Sequence, residues 1–184
     1  FHARGRWDLI VDVDDFKHVN DSKGHDEGDL VLQEVAKRLQ NCIRDVDTAA
    51  RLGGDEFVIM LDDLSEDSML AASQAEAIAE KILTRLDQNF ELDNIRFHCS
   101  ASIGITLFGL QPERMEEPLK RADTAMYQAK SAGRNTMRFF DPEMQTIVDR
   151  HAQMERDMRE AGAECCLAKP LDVPQLLERL GLNA

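Results

Sequence analysis

The chain has no apolar run approaching the roughly 20 residues that span a bilayer, so no membrane contact by this segment is expected. It is also poor in positive charge. Lys and Arg total 22 against 35 Asp and Glu, leaving a net charge of −13. Nucleic-acid-binding surfaces carry a basic stripe, and here acids dominate nearly everywhere, so DNA is not an expected partner. An acidic protein still takes a nucleotide where metal ions bridge its carboxylates to the phosphates. The four cysteines (Cys42, Cys99, Cys165 and Cys166) include no C-x-x-C pair, which argues against a zinc site. Cys42 and Cys99 lie in apolar patterns expected in a core, and adjacent Cys165 and Cys166 are poorly placed to bridge each other. A reduced, cytoplasmic protein is the expectation. No apolar core follows the basic stretch 1–7, no internal repeat is visible, and no segment is of low complexity.

The 184 residues are 43% hydrophobic and 31% charged, which fits one domain with an appendage. Residues 7–13 form an apolar run suited to a buried strand, and 14–25 read as a polar loop. Residues 26–44 carry Val31, Val35, Leu39 and Cys42 at helical spacing, with acids in the first turn. Two strand-like runs, 49–52 and 57–61, flank Gly53-Gly54 as a hairpin would. A helix is expected over 68–86, with Leu70, Ala75, Ile78, Ile82 and Leu86 as its buried stripe. Strand-like runs at 90–92 and 95–107 follow, joined by Asp93-Asn94. Then come a helix over 118–131 capped by Gly133, a short strand at 137–140, and a polar helix from Pro142 to about residue 160. This order predicts an α+β fold with helices on one face of a largely antiparallel sheet.

The candidate chemistry lies in carboxylates. Asp12 ends the first strand, Asp14 and Asp15 follow, and alternation puts Asp12 and Asp14 on one side if the strand continues. Asp55 and Glu56 sit at the hairpin turn, where Gly53 and Gly54 let the backbone approach a ligand. If the two strands are neighbours, Asp12 and Asp55 converge. Converging carboxylates repel unless protonated or neutralised, and hard oxygen donors suit Mg²⁺. Solvated acidic loops are the competing explanation, stronger for Asp14 and Asp15 than for Asp12 and Asp55, which abut apolar strands.

The stretch Arg51-Leu52-Gly53-Gly54-Asp55-Glu56-Phe57 resembles the signature of GGDEF diguanylate cyclases. So do the blocks at 12–21, Gly24-His25-Asp26, Gly28-Asp29, Arg121-Ala122-Asp123 and Gly133-Arg134-Asn135, in family order. The resemblance implies a palm-like fold of the ferredoxin-like or nucleotidyl-cyclase type, with a central, mostly antiparallel sheet flanked by helices. It implies that two GTP condense to cyclic di-GMP and pyrophosphate, with Mg²⁺ (or Mn²⁺) as cofactor and a homodimer as the catalytic unit. By position it assigns metals to Asp12, the Val13 carbonyl and Asp55. Glu56 would assist near the attacking hydroxyl or a second metal. Asn20 and Asp29 would read the guanine edge, and Lys17, Lys130 and Arg134 would contact phosphates. Lys17 joins Asp55 and Glu56 in the catalytic set.

Arg44-Asp45-Val46-Asp47 resembles the family's R-x-x-D site for inhibitory product, with Lys81 in place of a further basic partner that is often Arg. Lys lacks the bidentate fork of Arg. By the resemblance, the given sequence would start after the family's usual N-terminal helix. The expected organisation is a GGDEF domain over 1–140, a linker helix over 141–161, and a tail over 162–184 resembling the end of a response-regulator receiver, or a junction near Ala161. Two alternatives to an active cyclase are a silent module that binds GTP or cyclic di-GMP to regulate an attached domain, and a dimerisation module.

Overall fold

The computed structural model describes residues 6–92, 95–108, 114 and 116–160. The chain divides into two compact units, Phe1–Val148 and Asp149–Ala184. The first contains β1 (Arg6–Val13), α1 (Phe16–Lys23), α2 (His25–Gln40), β2 (Thr48–Gly53), β3 (Glu56–Leu61), α3 (Ser68–Leu86), β4 (Phe90–Leu92), β5 (Ile95–Phe97), β6 (Ala101–Phe108), α4 (Glu116–Ser131) and β7 (Thr136–Phe139). Helix α5 (Pro142–Glu160) occupies the stretch read as helical. The receiver-like tail, 162–184, lies outside the described residues.

Five strands form one sheet in the order β2-β3-β1-β6-β7, and β4 and β5 pair separately. All pairings are antiparallel except β6 with β7. The sheet is thus mostly antiparallel and helix-flanked, as the palm-like reading requires. β1 is central, which explains why it reads as nearly unbroken apolar sequence.

Alternation along β1 separates the two faces. Trp7, Leu9, Val11 and Val13 join the main core with Val31, Val35 and Leu39 of α2 and Ala75, Ala79 and Ile82 of α3. Ile10, between them in sequence, packs instead with Ala122 and Met126 of α4. Helices therefore cover both faces, not one as expected. Gly104 makes the second layer possible, since a Cβ there would overlap the Ala122 carbonyl and the Met126 backbone nitrogen. α4 lies against the sheet at backbone distance.

Four further expectations need correction. Residues 16–23 are helical rather than loop, because buried Phe16 anchors α1 and Gly24, at φ 102°, ends it. α2 stops at Gln40, short of residue 44; Cys42 is still buried. The run 95–107 breaks at 98–100 into strands of two different sheets. Leu70 is 40% exposed while Ala71 and Ala72 are buried, because Asp67 caps α3 through the Leu70 N–H and so fixes the helix rotation.

Arg38 of α2 binds α2 to the end of α3. Its guanidinium donates to the Arg85, Gln88 and Asn89 carbonyls at 2.8–3.0 Å and lies 3.6 Å from the Phe90 ring centroid. Those carbonyls at and just beyond the end of α3 would otherwise lack donors from within the helix.

Candidate active site

The site gathers at the C-terminal end of β1. Asp12 pairs with Glu56 of β3 on one side and Ser102 of β6 on the other. The Val13 N–H donates to the Asp55 carbonyl at 3.2 Å. The hairpin therefore presents Asp55 and Glu56 beside Asp12, as expected if the strands were neighbours. Gly54, at φ 53°, takes the left-handed conformation that the turn demands. Arg51 clamps this turn, its Nε and Nη2 donating to the Gly54 carbonyl at 2.9 and 2.7 Å.

Asp12 is only 4% exposed, and its Oδ2 lies 2.7 Å from Lys130 Nζ on α4. Burial pushes its carboxyl up to about 6 against the pull of Lys130, and the nearby charges of Asp55 and Asp14 push the same way. Asp12 is thus a buried acid with one cationic neighbour and two anionic ones. Among the described residues, no three His, Cys, Asp or Glu side chains are grouped to hold a metal by themselves. That donor set still fits Mg²⁺, which is commonly held by one or two carboxylates and completes its shell with water and substrate phosphates.

Asp14 has a different environment. Its carboxylate accepts from Ser100 Oγ at 2.6 Å, Ser102 Oγ at 2.7 Å and the Asn135 N–H at 3.2 Å. Arg134 Nε is 4.0 Å from it and 3.8 Å from Asp15. Lys17 is exposed on α1. Asn20 is half-buried, its Oδ1 occupying the space a Cβ on Gly28 would need. Asp29 is exposed and lines a cleft of about 440 Å³ between α2 and the β2–β3 hairpin, with Leu32, Ala36, Ala49 and Phe57. Asp12, Asp55, Glu56 and Lys130 thus come together at the strand ends, while Asn20 and Asp29 lie on α1 and α2.

The model of the diguanylate cyclase GGDEF domain family matches residues 8–136. The chain belongs to the GGDEF family. It is 40% identical over 153 residues to the bifunctional diguanylate cyclase/cyclic di-GMP phosphodiesterase MucR of Pseudomonas aeruginosa, covering 83% of this chain and 22% of that protein. It is 41% identical over 128 residues to diguanylate cyclase A of Treponema denticola, covering 69% and 33% respectively. The chain therefore spans a third or less of the length of these curated relatives. A solved EAL/GGDEF domain protein from M. capsulatus superposes with a TM-score of 0.68 at 42% identity, covering 77% of this chain and 88% of that one.

In this GGDEF domain the R-x-x-D residues are already bound to each other. Arg44 Nε and Nη2 donate to Asp47 at 3.1 and 2.9 Å, and Nη2 also donates to the Asp62 carbonyl at 2.6 Å. The Asp47 carboxylate further accepts from the Arg44 and Asp62 backbone N–H groups. Burial would raise Asp47, but these donors and the Arg44 charge bring it below its ordinary value. Lys81 Nζ donates to the Asn41 and Cys42 carbonyls at 3.3 and 2.9 Å, satisfying the C-terminal end of α2. Arg51, Ser100 and Ser102 support the site yet carried no assignment from sequence. The signal available was the S-x-S spacing at the start of β6, which puts both hydroxyls on one side.

Proposed function

We propose that this GGDEF domain is an active diguanylate cyclase: the 3′-hydroxyl of each of two GTP attacks the α-phosphorus of the other, so that two P–O bonds form and two pyrophosphates leave. The supporting observation is the buried Asp12 carboxyl beside Asp55 and Lys130, in a chain of this family. A divalent ion held by Asp12, Asp55 and the Val13 carbonyl would lower the pKa of the attacking hydroxyl and stabilise charge on the phosphoryl oxygens. Glu56, opposite Asp12, would hold a proton or a second ion at the attacking hydroxyl. Lys130 would turn from Asp12 to phosphate oxygens once the carboxylate has another counter-charge, joined by Lys17 and Arg134. Asp29 would accept guanine N–H groups, and Asn20 would both donate and accept. One domain holds one GTP, so two domains must face each other. Positioning and electrostatics carry the rate, with no covalent enzyme intermediate. Cytoplasm, where GTP is available, is the proposed location.

The Arg44–Asp47 pair bears on regulation. Cyclic di-GMP bound at this site would compete with the Arg44 bonds to Asp47 and the Asp62 carbonyl, so inhibition by product is expected to be weak. A second reading, a silent module that binds GTP or cyclic di-GMP and regulates an attached domain, draws on a relative named only as a cyclic di-GMP phosphodiesterase, NbdA of Pseudomonas aeruginosa, 35% identical over 153 residues, covering 83% of this chain and 19% of that protein. Chromatography for cyclic di-GMP after incubation with GTP and Mg²⁺ separates the two. Product from wild type and none from Asp55→Ala supports the cyclase, whereas GTP binding without product supports the silent module.

A further inference from the structure

The α4–β7 turn is unusual in that Gly133, Arg134 and Asn135 have φ of 119°, 64° and 45° in succession. Non-glycine residues keep such conformations only where the surroundings over-determine them, and such strain clusters at functional sites. Two contacts fix Asn135: its N–H donates to Asp14 Oδ2, and its Nδ2 donates to Asp87 Oδ1 at 3.2 Å. Asp14 is itself held by Ser100 and Ser102, and its own N–H donates to the Ser100 carbonyl at 3.0 Å. Asp15, at φ 56°, is a second strained residue and opens the helix that carries Lys17 and Asn20.

From this convergence we infer that Asp14 is a positioning residue, which sets Arg134 of the strained turn where it meets the triphosphate of GTP. The inference rests on the cyclase reading for the role of Arg134. Asp14 accepts from side-chain and backbone donors of two different segments, the start of β6 and the α4–β7 turn, and it leads directly out of β1. Its nearest guanidinium, at 4.0 Å, is beyond hydrogen-bonding distance. Asp14 therefore acts on Arg134 through the adjoining Asn135 N–H, while the guanidinium, 4.0 Å from Asp14 and 3.8 Å from Asp15, is not held as Arg44 is by Asp47.

NMR titration of the domain with Mg²⁺–GTP and, separately, with guanosine tests this. In Asp14→Asn the new NH₂ cannot accept a hydrogen bond, so GTP affinity should fall about tenfold while guanosine affinity stays within about twofold. Arg134→Ala should do the same, and the double variant should fall no further than Arg134→Ala alone. Equal losses for GTP and guanosine, or effects that multiply in the double variant, would show a general strut and overturn the inference. Should Asp14→Asn not fold, Ser100→Ala keeps the carboxylate but removes one donor; GTP weakening by about threefold with guanosine unchanged is expected, and unchanged GTP affinity overturns the inference. A wild-type domain that binds GTP no better than guanosine contradicts the cyclase reading and the inference together. A wild type that prefers GTP, with Asp14→Asn equal to it, contradicts the inference alone.

Discussion

Two buried carboxylates, Asp47 and Asp12, show how differently one fold treats the same group. Asp47 is 9% exposed and Asp12 4%. Asp47 receives two guanidinium N–H donors and two backbone N–H donors. Asp12 has one ammonium and lies near two other acids. Asp47 is accordingly held below its ordinary value and Asp12 pushed above it. A buried acid whose lone pairs are satisfied is a strut. A buried acid crowded by acids has unmet demand for positive charge, and such perturbed groups cluster at functional sites.

The largest effect that would break this contrast concerns catalysis. Asp55→Ala should reduce cyclic di-GMP formation at least about a hundredfold without lowering the melting temperature, since the loss is of transition-state stabilisation. Cyclase assays paired with thermal melts check it. Next is Asp47→Ala, expected to destabilise the domain by about 2–3 kcal/mol, because it orphans backbone N–H groups and the half-exposed Arg44. For Asp47 the folded value is the lower one. Its stabilisation is therefore present above its ordinary 3.8 and lost as pH falls through the folded value, so urea denaturation of wild type and variant should converge in strong acid.

Asp12→Asn should act in the opposite sense. The folded carboxyl, at about 6, lies above its ordinary 3.8, so Asp12 costs nothing below 3.8 and progressively more as pH rises to about 6. Without metal the variant should be about 1–3 kcal/mol more stable than wild type at pH 8, less whatever Lys130 loses with its partner, and this gain should vanish near pH 3.5. Denaturant melts at the two pH values measure it. The smallest effect is Arg44→Lys, which keeps the charge but loses the fork; about 1 kcal/mol of stability should go, read by the same melts.

Much of this was legible in the sequence because it depended on period and spacing. Val31, Val35, Leu39 and Cys42 are all buried as their spacing implied, and the Gly53-Gly54 hairpin brings Asp55 to Asp12. What escaped depended on third-dimension contacts. Buried Phe16, with half-buried Val19 packed against the same core, anchors α1 within a polar stretch that otherwise reads as loop. The layer formed by α4 hangs on Ile10 and Gly104, whose meaning appears only once strand alternation meets the helix backbone. The bonds that Arg44 makes to Asp47 and the Asp62 carbonyl, and Lys81 to the Asn41 and Cys42 carbonyls, could not be read from the R-x-x-D spacing. No spacing rule distinguishes a free guanidinium from a bound one.

The contrast is tested most directly by following the Asp12 carboxyl carbon by NMR as a function of pH, first without metal and then with Mg²⁺ and GTP. Titration near 6 in the metal-free domain, falling below the ordinary carboxylate range when Mg²⁺ and GTP are added, is the predicted result. An Asp12 carboxyl that titrates at the same pH in both conditions would contradict the account.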